Sequence, residues 1–171
     1  MPSRSMQSPY FASGDPETEE MTTLYAPGML GTIAQFERAS NNVCKYRLVK
    51  QNTGVTGIVG NVMGWFARAT YTVGLGASGT LGLPAGICRI AAATAASYIW
   101  ICTRGNRGVL FQGSPTVAPD ATGAVQAVLG ATGGQANGVS TANVALHLGS
   151  CTGVTASNIA PVQLSLLDAD D

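Results

Sequence analysis

Charge is the feature this chain most lacks: from Gly108 to Leu167 the only formally charged side chain is Asp120. A soluble monomer carries about a quarter of its residues as charged side chains, and they stay outside because burying an ion is costly. A long stretch without them must be covered by something. A bilayer is excluded as the cover, since Gly, Ser, Thr, Asn and Gln interrupt the segment and no run of about 20 apolar residues occurs. The cover expected from sequence is a neighbouring protein surface.

Catalytic groups are equally scarce. His147 is the only histidine, so any Ser-His-Asp or Cys-His site must use it as base. Cys151 follows it closely, but Leu148-Gly149-Ser150 between them matches no nucleophile signature. Outside the two ends of the chain no acidic pair exists to act as general acid and base. The four cysteines, Cys44, Cys88, Cys102 and Cys151, show no CxxC spacing, so neither a metal site nor a redox motif is expected. They read as reduced thiols packed as small apolar residues, with a Cys88–Cys102 bridge across paired strands as the alternative. Gly74-Leu75-Gly76-Ala77-Ser78-Gly79 is a literal GxGxxG, yet Thr80 to Gly86 cannot open the helix that gives this motif its anion-binding end. No catalytic residue, metal or cofactor is expected, and the N-terminus has no apolar signal segment, which implies synthesis in a cytoplasm.

What is present is β-forming sequence: 22 glycines and 8 prolines punctuate runs rich in Val, Thr, Ile and aromatic residues. The charges that exist are segregated. Residues 1–30 hold Arg4 against Asp15, Glu17, Glu19 and Glu20; residues 31–119 hold eight basic residues against Glu37 alone, a net +7; Asp120, Asp168, Asp170 and Asp171 follow with no Lys or Arg. An acidic arm, a basic middle and an acidic tail neutralise one another within or between subunits. The basic residues are dispersed and accompany no nucleic-acid motif, so protein partners are expected in preference to nucleic acid. Arg104 and Arg107 are the candidate electrostatic contacts.

Residues 1–28 read as an extended N-terminal arm, broken by prolines and anchored by Tyr10, Phe11, Leu24 and Tyr25, which suit pockets on a partner. Residues 29–171 read as a β-rich domain. Val43–Lys50 alternates, with Cys44, Tyr46 and Leu48 inward. Gly64–Val73 reads as one strand and residues 74–86 as mostly loop; residues 87–96 suit either a strand or an alanine-rich helix. Residues 98–112 read as a hairpin with its tip at Arg104-Gly105-Asn106-Arg107-Gly108. Short strands at 124–129, 144–148 and 162–167 complete an all-β small barrel or sandwich, with Gly-rich turns at 130–138.

The segments Leu30-Gly31-Thr32, Tyr46-Arg47-Leu48-Val49-Lys50, Tyr98-Ile99-Trp100-Ile101-Cys102-Thr103-Arg104-Gly105 and Asp120-Ala121-Thr122-Gly123 occur in that order. In this they resemble the head decoration (capsid cement) proteins of tailed bacteriophages. The arm is longer and the 130–160 region more Gly/Thr-rich than in that pattern. The resemblance implies a structural protein without catalytic residues, made in the host cytoplasm. It would form a homo-oligomer, with a trimer favoured, bound to the major capsid protein on the outer surface of an icosahedral head. The alternative reading is a head-fibre base or surface adhesin domain binding a host glycan or protein, with Trp65 or Trp100 as a sugar platform.

Overall fold

The computed structural model describes residues 15–18, 20–21, 28–38, 42–78, 83–90, 95–112, 126–139, 147–152 and 158–166. Apart from one 3₁₀ turn, every regular element among them is a strand. In chain order these are β1 (Glu20–Met21), β2 (Ile33–Arg38), β3 (Asn42–Gln51), β4 (Val62–Ala67), β5 (Thr72–Leu75), β6 (Pro84–Cys88), β7 (Tyr98–Leu110), β8 (Gln126–Leu129), β9 (Ala136–Val139), β10 (His147–Cys151) and β11 (Ile159–Ser165). The all-β expectation holds. The strands join one large sheet in the order β2-β3-β5-β4-β6-β7-β11-β10-β8-β9, with β1 on β7 and a further pairing of β3 with β7.

Alternation explains β3, whose Cys44, Tyr46 and Leu48 are fully buried as expected. Val49 and Gln51, on the other face, are buried too, because two apolar clusters sandwich this part of the sheet. Tyr46, Leu48, Trp100 and Cys102 belong to the larger cluster. Val49, Met63, Val73, Ile99 and Ile101 belong to the smaller one, enclosed where β3, β5, β4, β6 and β7 pair in a circuit.

The expected hairpin at 98–112 is not formed. Residues 98–110 are one strand, β7, whose first half pairs with β3 (Leu48 opposite Trp100) and whose second half pairs with β11 (Val162 opposite Arg107). Gly105, at φ +112°, supplies a bend instead of a reversal. The Asn42 side chain completes the ladder there, accepting from Asn106 N–H at 3.1 Å and donating to Asn106 C=O at 3.0 Å. A Gly/Asn cluster within a strand-like run marks a local irregularity; which irregularity depends on the partner strands.

Gly64–Val73 is likewise corrected to two antiparallel strands, β4 and β5, separated by the 3₁₀ turn Arg68–Thr70 with Tyr71 in a left-handed conformation. Gly74 and Leu75 finish β5, and Pro84 opens β6, a first-strand position where its missing N–H is tolerated. Residues 84–88 thus belong to a strand, which removes the loop reading for Pro84–Gly86 and the helix reading for Ile87–Cys88. β9 lies in the stretch expected to be turn. β8, β10 and β11 occupy the regions expected of them with shifted ends, and Ala160, Val162 and Leu164 of β11 are buried.

Candidate functional site

The best-defined polar constellation is a clasp made by residues 15–18 of the arm. Asp15 shapes the turn: its Oδ1 accepts from Glu17 N–H at 2.9 Å, and its C=O accepts from Thr18 N–H at 2.9 Å. Pro16 is buried beneath. The chain then continues into β1, with Glu20 opposite Ile99 and Met21 opposite Tyr98. The described part of the arm therefore lies on its own domain.

The turn aims two carboxylates at arginines from three strand regions. The Arg38 guanidinium, at the end of β2, donates to both Asp15 oxygens, at 2.8 and 2.5 Å, the paired geometry that makes such contacts strong. Glu17 Oε1 accepts from Tyr46 Oη at 2.6 Å and from Arg107 Nε at 2.6 Å, and forms an ion pair with Arg89 Nε at 3.5 Å. Tyr46 Oη in turn accepts from Arg38 Nε at 3.3 Å and Arg107 Nη2 at 3.1 Å. Arg38 also lies against the Phe36 and Tyr46 rings, 5.7 and 5.6 Å from their centres.

These contacts set the protonation states. The bonds from Arg38 lower the Asp15 carboxyl below its ordinary value. Burial alone would raise Glu17, but the Tyr46 hydroxyl and the Arg107, Arg89 and Arg38 charges outweigh it and bring it down. Burial, with the Glu17 carboxylate bonded to it, pushes the Tyr46 phenol up, so it stays a neutral donor. The arrangement keeps both carboxyls ionised near neutral pH.

Of the residues singled out from sequence, Arg107 is half-buried inside the clasp, whereas Arg104 is exposed. Tyr10, Phe11, Leu24 and Tyr25 lie outside the described residues. Trp100 is 1 % exposed, in the larger core cluster, which removes it as a sugar platform; Trp65 is half-buried. His147 and Cys151 sit on β10 with a register shift after His147, and burial raises the Cys151 thiol, the opposite of what a thiolate nucleophile needs. All four cysteines are free and buried. A Cys88–Cys102 bridge is excluded in this fold, because Cys88 faces Ile101 in register and packs in the smaller cluster while Cys102 packs in the larger. Among the described residues no three His, Cys, Asp or Glu side chains gather as metal ligands.

The sequence signal for the clasp was the segregation of charge: an acidic arm against a basic middle. That signal did not reveal that Glu17 meets Arg107, Arg89 and Tyr46, three residues brought together only by the sheet. Comparison of the chain with protein-family models, with curated proteins and with solved structures gave no match.

Proposed function

We propose that this chain is a structural virion protein of the capsid-cement kind, a homo-oligomer that binds the outside of an icosahedral phage head and ties neighbouring major capsid subunits together. One observation carries the reading. The strands β8, β9, β10 and β11 contain no Asp, Glu, Lys or Arg, so one end of the sheet presents only neutral side chains, with Thr132, Thr152, Asn158, Ile159 and Gln163 exposed. Depletion of charge is what distinguishes the centre of a protein interface from ordinary surface. The all-β fold and the motif resemblance agree with it.

On this reading the mechanism is contact area and valency. Several modest contacts from one oligomer onto a repeating lattice raise the effective concentration of each, so release is slow. Those contacts would oppose the outward pressure of packaged DNA. Because residues 15–18 and 20–21 are engaged on their own domain, the reach of the arm belongs to its other residues, with Tyr10, Phe11, Leu24 and Tyr25 as anchors. Arg104 serves as the outward cation, Arg107 being taken by Glu17.

Deletion of residues 1–14 spares the clasp and is expected to lower the temperature at which decorated particles release their genome, and to lower occupancy on the shell. Unchanged occupancy and release would remove the arm from the mechanism. The adhesin reading is favoured by a single feature: Phe66 on β4, next in sequence to the half-buried Trp65, is 57 % exposed. Phe66→Ala would abolish glycan-array binding if that reading is right; under the cement reading the parent protein gives no glycan signal at all.

A further inference from the structure

β2 stands first in the strand order, and among the described residues β3 is the only strand paired with it. Its other edge is open among those residues, and the ladder fixes which backbone groups that edge presents. Leu48 N–H donates to Thr32 C=O at 3.0 Å, one step beyond the Ile33–Arg47 pair. Antiparallel bonding alternates from residue to residue. Ala34, Phe36 and Arg38 therefore bond to β3, and the N–H and C=O groups of Ile33, Gln35 and Glu37 point away from it. The side chains of Ile33, Gln35 and Glu37 are exposed on one face, while Ala34 and Phe36 are buried on the other. Proteins blunt a bare edge with proline, a bulge or lysine. β2 has none of these: it reads Ile33-Ala34-Gln35-Phe36-Glu37-Arg38, and its register against β3 runs unbroken.

We propose that this edge is an interface between copies of the chain, in which β2 pairs antiparallel with β2 of a second copy about a two-fold axis at Gln35. The positions of the outward groups favour this occupant. Ile33, Gln35 and Glu37 are symmetric about Gln35, so a second β2 answers each of them: Ile33 with Glu37, Gln35 with Gln35. The contact is self-complementary, as a two-fold interface must be. Side-chain size agrees, because this register sets Ala34 opposite Phe36 of the second copy on the buried face, small against large, twice over. Charge agrees as well. Arg38 falls opposite Thr32 and Glu37 opposite Ile33, so no like charges meet across the strands. Glu37, the one charge on the exposed face of β2, stands beside Val43 in its own sheet. Pairing carries it to the Ile33 end of the second copy, where β3 presents Arg47 and Lys45 behind the strand. Six residues make a small contact, so association in dilute solution is weak and a covalent trap reads it best. β2 and the β8–β11 region lie at opposite ends of the strand order, and the inference stands whether or not the protein decorates a capsid.

The test places single cysteines in the full-length chain, whose own four cysteines are buried, and follows disulfide-linked dimer on non-reducing gels under mild oxidation. Gln35→Cys is expected to link to itself about tenfold faster than Glu37→Cys. Directly opposed residues of such a pair have Cα atoms about 5.5 Å apart, within the span of a disulfide. The two Glu37 positions are out of step by about 13 Å. Ile33→Cys and Glu37→Cys chains link when mixed, faster than either alone. Proline at position 35 removes an outward N–H and no bond to β3, a place where an edge strand tolerates it. Adding Gln35→Pro to both of those chains abolishes the mixed link. Equal rates for Gln35→Cys and Glu37→Cys, or a mixed link that survives Gln35→Pro, overturn the pairing. Should the proline chains fail to fold, the single-cysteine rates decide alone.

Discussion

Gly105→Ala is expected to destabilise the protein by about 4 kcal/mol, combining the strain of a non-glycine residue at an unfavourable φ with overpacking of a closed core site. Gly105 sits at φ +112°, and a methyl group there would run into Cys44 Sγ and come within 3.0 Å of the Val43 carbonyl oxygen. Neither neighbour can yield cheaply: Cys44 is locked in the core, and Val43 is backbone of β3. That cost approaches the whole stability of a typical small domain. Gly54 is the control. It also has a positive φ, +79°, but nothing lies within 4 Å of the added atom, so Gly54→Ala should cost only about 1 kcal/mol. Urea denaturation of the two variants checks the contrast. Equal losses would mean that crowding at the β7 bend contributes nothing.

Removing the Glu17 carboxylate is expected to cost about 2–3 kcal/mol, since truncating one partner of a largely buried ion pair leaves the other charge uncompensated. Its side chain is 19 % exposed and that of Arg107 11 %, so solvent replaces little of what is lost. The Asp15–Arg38 contact is worth less, because Asp15 is 45 % exposed and water screens it. Both carboxyls are lowered by folding, from ordinary values of 3.8 for Asp15 and 4.5 for Glu17. Below those values the unfolded chain binds protons that the folded chain refuses. The contribution is therefore complete above the ordinary values and is lost as pH falls through the lower, folded ones. Thermal melts of the parent should decline steeply with acidification below about pH 5, and those of an Asp15→Asn/Glu17→Gln double variant should start lower and decline less. Parallel curves would show that the clasp does not set the acid sensitivity.

The parts of the fold legible in the sequence are those encoded by local alternation. Cys44, Tyr46 and Leu48 announce the inner face of β3, and Val162 and Leu164 that of β11, while Leu166 of the same alternation lies half-buried just past the strand. The reading failed where the deciding contact is distant. The Arg104-Gly105-Asn106 run has the composition of a hairpin tip, and only Asn42 and β11, far away in the chain, turn it into a bend within one strand. Arg68-Ala69-Thr70 carries no turn punctuation of its own, so the break between β4 and β5 was hidden within an aromatic, β-branched run. The clasp was half visible, as charge of opposite sign on arm and body.

On the proposed reading further copies of the chain cover the neutral sheet end, and sedimentation velocity on the isolated protein across a wide concentration range tests this most directly. A discrete homo-oligomer, with a trimer favoured, is the result expected if copies of the chain shield β8 to β11 from water. A single-copy species that persists at the highest concentration, and that fails to co-sediment with undecorated phage heads, would contradict it.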